Sequence, residues 1–250
     1  MTNVYIPDRA MFIYAHPDDI EFGVAGMAAL WAKHGCEVTY VVLTDGNVGS
    51  HEADMTAEKL AEIRRAEQTA AANVAGATCI FLGEHDGLLQ PTLELRKKLV
   101  RLIRQYRPNA VVCGDPTVYF PSEDYINHPD HRAAGQLALD AVFPAAEMHL
   151  LYPDLDAEGL QPHKVNFVYI SWPSQKPNYF IDITDTMGTK IEALRQHASQ
   201  LGDWDPTERI KEWNGETGKR VGFKYAESYY RITLKAIEEP VEAEAEAGAG

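Results

Sequence analysis

Cysteine is scarce in this chain: Cys36, Cys79 and Cys113 are the only three in 250 residues. They are odd in number and far apart, which excludes a disulfide framework or a C-x-x-C metal site and fits a reducing, cytoplasmic setting. Basic charge is short as well. Lys and Arg total 23 against 37 Asp and Glu, for a formal net charge of −14, which argues against nucleic acid or an anionic membrane surface as a main partner. Long apolar runs are missing: nothing approaches the roughly 18–20 residues of a membrane span, so no membrane association is expected. Met1–Ala10 holds Pro7, Asp8 and Arg9 in place of an apolar signal core, so no secretory signal is expected. Three sequence signatures are also absent. Gly23-Val24-Ala25-Gly26 follows the first apolar run instead of G-x-G-x-x-G, and neither a G-x-x-x-x-G-K-[ST] loop nor a G-x-S-x-G elbow occurs, which speaks against nucleotide binding and serine hydrolysis.

What is present is an alternation of apolar runs and amphipathic stretches. Met11–Ala15, Glu37–Thr44, Thr78–Leu82, Asn109–Cys113 and Phe167–Ile170 read as strands. Gly23–His34, Ala57–Val74, Leu93–Tyr106 and Arg132–Val142 read as helices, with Thr56 as an N-cap and Gly35 and Gly76 as C-terminal glycines. The last third is less regular: an extended piece at Asn178–Ile183, a helix at Thr186–Leu201 and a closing segment at Tyr225–Leu234. Near-continuous apolar strands separated by helices predict a Rossmann-like α/β fold, a mostly parallel open sheet with helices on both faces. Residues 1–237 read as one domain. Residues 238–250 are a Glu/Ala/Gly tail that holds five acids and no base, leaving −9 on the body; it reads as disordered and solvating.

In open α/β sheets, sites form beyond the carboxyl ends of the strands. Two motifs fall there: Ala15-His16-Pro17-Asp18-Asp19-Ile20-Glu21 after the first strand, and Asn127-His128-Pro129-Asp130-His131 before a helix. Each groups His and Asp around a proline that stiffens the loop, and these residue types ligate zinc and other first-row metals. Taken singly, Asp18-Asp19 also reads as a turn capping the next helix, and Asp130 as a cap. At one sheet edge together, they read as a site.

The pair resembles the PIG-L/LmbE-like family of metal-dependent sugar N-deacetylases. Arg64-Arg65-Ala66-Glu67, Leu82–Gly87 (LGEHDG), Lys190–Gln200 (KIEALRQHASQ) and Ala226-Glu227 resemble further family patterns, so the likeness runs from about Phe12 to about Tyr230. The resemblance implies that His16, Asp19 and His131 bind Zn2+, with iron, cobalt or manganese as other first-row choices. It implies Asp18 as the general base on the attacking water. It implies His128, oriented by Asp130 and cationic, as partner acid or oxyanion stabiliser, although His128 and His131 can exchange roles. Arg64 matches a residue that contacts substrate hydroxyls; its plainer role is an ion pair with Glu67. Asp86 matches a carboxylate that binds the sugar ring, or is a turn residue before Gly87. His197 reads as a buried structural histidine.

Two departures stand out. A tyrosine that some members place two residues before the first His of the second motif is Ile126 here, with Tyr125 one step earlier, and Tyr119–Asn127 (YFPSEDYIN) is expected to line the substrate entrance. The function implied is acetyl removal from an N-acetylglucosamine-type sugar or its conjugate. The alternative is a metal-dependent amidase for a larger acyl group. The partner implied is a small amino sugar. Relatives are often homo-oligomers, and no interface is legible here.

Overall fold

The computed structural model describes residues 4–235, so the acidic tail expected at 238–250 lies outside the described residues. One seven-stranded sheet runs β3-β2-β1-β4-β5-β7-β6. Its strands are β1 (Arg9–Tyr14), β2 (Glu37–Thr44), β3 (Ala77–Glu84), β4 (Ala110–Gly114), β5 (Phe167–Ser171), β6 (Tyr179–Asp182) and β7 (Ala226–Thr233). The first five are parallel, and β7 runs antiparallel between β5 and β6. That is the Rossmann-like, mostly parallel sheet, with its one reversed strand near the edge.

Alternation along the strands splits the core. Phe12, Tyr14 and Tyr40 pack on one face with Trp31 and Ile191, whereas Met11, Ile13 and Val41 pack on the other with Leu99, Ile103 and Leu137. The first face is covered by α2 (Ala25–Lys33), α3 (Ala57–Ala75) and α7 (Met187–Arg195), the second by α4 (Leu93–Tyr106) and α5 (Pro129–Asp140). Apolar side chains on both faces are what make these strands near-continuous apolar runs in the sequence. No helix among the described residues is long and apolar enough to cross a membrane.

Several boundaries move. Thr56 caps α3 by accepting from the Lys59 N–H, and Gly76 follows it at φ 76°. The helix expected at Gly23–His34 is α2 preceded by a five-residue α1 (Asp19–Gly23), with Val24 out of helical register between them. The helix expected at Arg132–Val142 starts three residues earlier, with Pro129 in its first turn, and gives way to a wider turn over Ala141–Ala146 around Pro144. The helix expected at Thr186–Leu201 is α7 plus the short α8 (Ala198–Leu201), broken at His197. Two helices went unread: the short α6 (Pro153–Ala157) and α9 (Thr207–Lys219), whose polar composition and internal glycines conceal a narrow buried stripe at Ile210, Asn214 and Gly218.

Two of the weaker sequence patterns meet in the interior. Lys190 Nζ lies 2.6 Å from Glu227 Oε1, both buried, and the carboxylate also accepts the Gly26 and Met27 N–H groups that open α2. Tyr229 donates to the same carboxylate at 2.7 Å. Glu227→Ala leaves a buried ammonium and two helix N–H groups without their partner. The expected cost is about 3–5 kcal/mol, read as the loss of unfolding free energy in a urea titration.

Candidate active site

The chain leaves β1 toward β2 and β4 toward β5, so the carboxyl ends of β1 and β4 splay apart at the switch point of the sheet. His16 follows β1, Asp19 opens α1, and His131 stands in the first turn of α5 after β4. His16 Nδ1 lies 3.2 Å from His131 Nε2, and Asp19 Oδ1 lies 3.1 Å from His131 Nε2. The ligating atoms of the three residues all lie within 4.8 Å of one another. His16, Asp86 and His128 form a second such group. The two share His16, but only Asp19 and His131 line the open cleft beyond.

Each residue of the first group is held from behind. The Asp19 carboxylate accepts the His16 N–H at 2.8 Å, and His131 Nδ1 lies 3.0 Å from Asn127 Oδ1. His16 Nε2 lies at ion-pair distance from Asp86 Oδ1, 3.1 Å, and from Asp130 Oδ2, 3.4 Å. A proton on His16 Nε2 and His131 Nδ1 leaves the facing nitrogens as donors toward the cluster, the arrangement metal-ligating imidazoles adopt. Burial alone would raise the Asp19 carboxyl, but His131 and His16 outweigh it and hold it well below the ordinary carboxylate range. Burial likewise opposes a charged His16 or His131, but the facing carboxylates outweigh it, Asp19 with Asp130 and Asp86 at His16 and chiefly Asp19 at His131, so the two rings stay protonated to higher pH than free imidazole. Two imidazoles and a carboxylate pressed together in this way suit a divalent cation taking the place of the protons.

Asp18 occupies the N-cap position of α1, yet its side chain caps nothing. Its backbone sits at φ 105°, a conformation few residues other than glycine adopt. Two residues of α3, one turn apart, hold it there. The Arg64 guanidinium donates to Asp18 Oδ2 at 3.0 Å and to the Pro17 carbonyl, while Gln68 Oε1 accepts the Asp18 N–H at 2.9 Å. Behind them, Gln68 donates to Glu21 Oε1 at 3.0 Å, and Glu21 Oε2 lies 3.1 Å from His197 Nε2. Glu21 and His197 are fully buried, so His197 takes the structural place expected of it. Burial pushes the Asp18 carboxyl up to about 6, against the pull of Arg64.

Five expectations meet a different geometry. Arg64 is 4% exposed and does not line the cleft; its terminal nitrogens donate to Asp18, Pro17 and the Gly46 carbonyl, and its Nε is buried without a hydrogen-bond partner. A Cβ on Gly46, at φ 60°, would stand 2.2 Å from Arg64 Nη1, so the buried arginine depends on that glycine. The expected Glu67 pair does not form either, because Glu67 accepts from the Ser199 N–H and hydroxyl. Asp86 is buried and faces His16 rather than the cleft. Asp130 does not orient the His128 ring through its carboxylate, which instead accepts the Gly87 and Leu89 N–H groups at 2.7 and 3.2 Å. The Asp130 N–H donates to His128 Nδ1 at 3.2 Å, which places the ring proton on Nε2. Burial, then the neighbouring His16, lowers the His128 pKa, so this ring is a neutral donor and not a cation.

Tyr119–Asn127 does border the cleft, which holds about 1110 Å³ and is walled by Tyr119, Phe120, Tyr125 and Asn127 on that side. Trp172, at φ 46° just past β5, and Trp213, on α9, complete it; neither was singled out in the sequence. Gln68 was missed too, although its place four residues after Arg64 puts it on the same helix face.

A family model described as PIG-L, GlcNAc-PI de-N-acetylase, matches residues 11–142. The diacetylchitobiose deacetylase of Thermococcus kodakarensis is 36% identical over 225 residues, covering 88% of this chain and 81% of the relative. The solved N,N'-diacetylchitobiose deacetylase from Pyrococcus horikoshii superposes with a TM-score of 0.83 at 31% identity, over 91% of this chain and 84% of that one. A 4-oxalmesaconate hydratase of Pseudomonas putida is 27% identical over 87% of this chain and 84% of the relative, so a second activity name occurs among the relatives. The match over residues 11–142 and the 36% identity across most of the chain establish that it belongs to the PIG-L/LmbE-like N-deacetylase family.

Proposed function

We propose that the protein is a metal-dependent N-deacetylase that releases acetate from an N-acetylglucosamine-type sugar. The observation that carries this is the convergence of His16, Asp19 and His131, the last two lining the cleft, next to Asp18, a carboxyl whose raised pKa suits a base. The deacetylase relatives support the same chemistry. His16, Asp19 and His131 would hold a divalent ion, zinc foremost, and such an ion would supply the Lewis acidity for an amide carbonyl and an attacking water near neutral pH.

The chain's own groups do the remaining work. Asp18 takes a proton from the attacking water as the new C–O bond forms at the acetyl carbon. His128 donates a hydrogen bond from Nε2 to the oxygen that gains charge. Asp18 then returns its proton to the sugar nitrogen, the C–N bond breaks, and acetate and a free amine leave. Arg64 and Gln68 keep Asp18 aimed and partly dry, and Asp86 and Asp130 orient His16.

Acetate release from N-acetylglucosamine and from diacetylchitobiose is the direct test, on protein stripped of metal and then given one equivalent of zinc. Zinc-dependent release supports the reading. No release from either sugar, with one zinc firmly bound, moves the assignment to an amidase for a larger acyl group or to the water addition implied by a hydratase relative. Asn127→Ala removes the acceptor behind His131 Nδ1 and should weaken zinc binding by about 10–100-fold, measured by competition with a chromogenic chelator.

A further inference from the structure

Behind Asp18, and away from the cleft, runs a polar chain that takes no part in the proton transfers. Gln68, Glu21 and His197 are all fully buried, and none of the three lines the cleft. Glu21 Oε2 lies 3.1 Å from His197 Nε2. Burial opposes a charge on that ring, but Glu21 outweighs it, so His197 keeps its proton to higher pH than free imidazole. Such a pair is a poor way to stabilise an interior, because apolar side chains of similar size often serve as well or better. His197 carries a further cost: its Nδ1 is buried without a hydrogen-bond partner among the described residues.

The link to Gln68 gives the pair its use. Glu21 Oε1 accepts from the Gln68 amide at 3.0 Å, and Gln68 Oε1 accepts the Asp18 N–H at 2.9 Å. A carboxylate only accepts, so the Gln68 NH2 must face Glu21, which leaves the amide oxygen for Asp18. The reversed amide would set two acceptors together at Glu21 and two donors together at Asp18. Nothing in Gln68 itself selects between the orientations; Glu21 does, and His197 Nε2 holds the second oxygen of Glu21. The selected orientation bears on the base directly. A residue other than glycine keeps a φ of 105° only where its surroundings over-determine it. Arg64 grips the Asp18 side chain and the Pro17 carbonyl, and Gln68 grips the Asp18 N–H. The break between α7 and α8 delivers His197 to this spot, and α8 is tied to the neighbour of Gln68 by the Ser199 N–H and hydroxyl, each donating to Glu67 at 2.7 Å.

Resting on the deacetylase reading, we propose that Glu21 and His197 are positioning residues for the base: they fix the Gln68 amide with its oxygen on the Asp18 N–H and so hold Asp18 in its left-handed conformation, aimed at the attacking water. Neither touches substrate. Their effect passes through Gln68 to a backbone, which sets it apart from a contribution to packing.

The test compares zinc-loaded wild type with the apolar double variant Glu21→Met/His197→Leu and with His197→Gln, whose amide can still donate to Glu21. The double variant should melt at or near the wild-type temperature and bind zinc as tightly. Its kcat for acetate release should fall about 10–100-fold with KM little changed, and its Asp18 amide should exchange with solvent faster. His197→Gln should retain most of the rate and the slow exchange. A folded double variant with kcat within threefold of wild type, or one whose rate falls only in step with zinc binding and melting temperature, would overturn the assignment. If the double variant does not fold, wild type and His197→Gln decide by NMR. A proton on His197 Nε2 and a slowly exchanging Asp18 amide in both uphold the chain of contacts, and a bare Nε2 or a freely exchanging Asp18 amide overturns it. If wild type releases acetate from neither sugar, the deacetylase reading fails on its own, and the same exchange measurements still decide whether Glu21 and His197 hold the Asp18 backbone.

Discussion

Asp18→Asn should retain a full equivalent of metal and lose about 10²–10⁴-fold in kcat/KM for acetate release. The substitution preserves volume, keeps an oxygen for Arg64 Nη2 and tolerates positive φ better than most residues, so the local geometry at φ 105° survives it. What it removes is the only function that needs a carboxylate, acceptance and return of a proton. The pH profile gives a second reading. Burial lifts Asp18 to about 6 against Arg64, and a divalent cation close by draws it down. Below that pKa Asp18 already carries its proton and cannot accept another. The wild-type rate should therefore fall toward acid with a limb at or below about pH 6, and the residual Asp18→Asn rate should lack that limb. Turnover within threefold of wild type, with metal bound, would remove Asp18 from the role of base.

The second large effect belongs to His131→Ala, which should abolish stoichiometric metal binding. Losing a donor costs more than the roughly 10–100-fold of losing a partner behind one. His131 is about one-third exposed, so its removal leaves the core intact and the fold is not in question. Metal that binds only the folded protein stabilises it, by about 2.7 kcal/mol at a hundredfold excess over Kd. Zinc should therefore raise the melting temperature of wild type and leave that of His131→Ala unchanged. A variant that still shows the zinc shift and one metal per chain would displace His131 from the ligand set and favour the alternative group with Asp86 and His128.

The interior of the fold is legible in the sequence, because a strand buried on both faces must be apolar along its whole length. Glu37–Thr44 and Leu93–Tyr106 have the bounds their patterns gave, and Thr56 and Gly76 cap α3 as their chemistry predicts. Legibility failed where burial is narrow. Helix α9 shows the core only Ile210, Asn214 and Gly218, so its sequence carries no broad apolar stripe. The break at His197 was hidden for a different reason: a long-range contact, His197 with Glu21, accounts for the burial of a residue that helical spacing alone placed within one helix.

The site divides along the same line. The sequence by itself determined which residues bring donor atoms to the sheet edge, since His16-Pro17-Asp18-Asp19 and His128-Pro129-Asp130-His131 each hold their residue types within a few positions of a strand or helix end. Only the tertiary structure decided how those side chains are shared out. It turned Arg64 inward onto Asp18, set Asp86 behind His16, and sent the Asp130 carboxylate to the Gly87–Leu89 backbone instead of the His128 ring. It also carried Trp172 and Trp213, more than forty positions apart in the chain, into one cleft with Asp19. Spacing along a chain fixes what a loop or a single turn can present. Which groups meet across the gap between β1 and β4, and which are spent on each other, depends on packing between elements that no local pattern records.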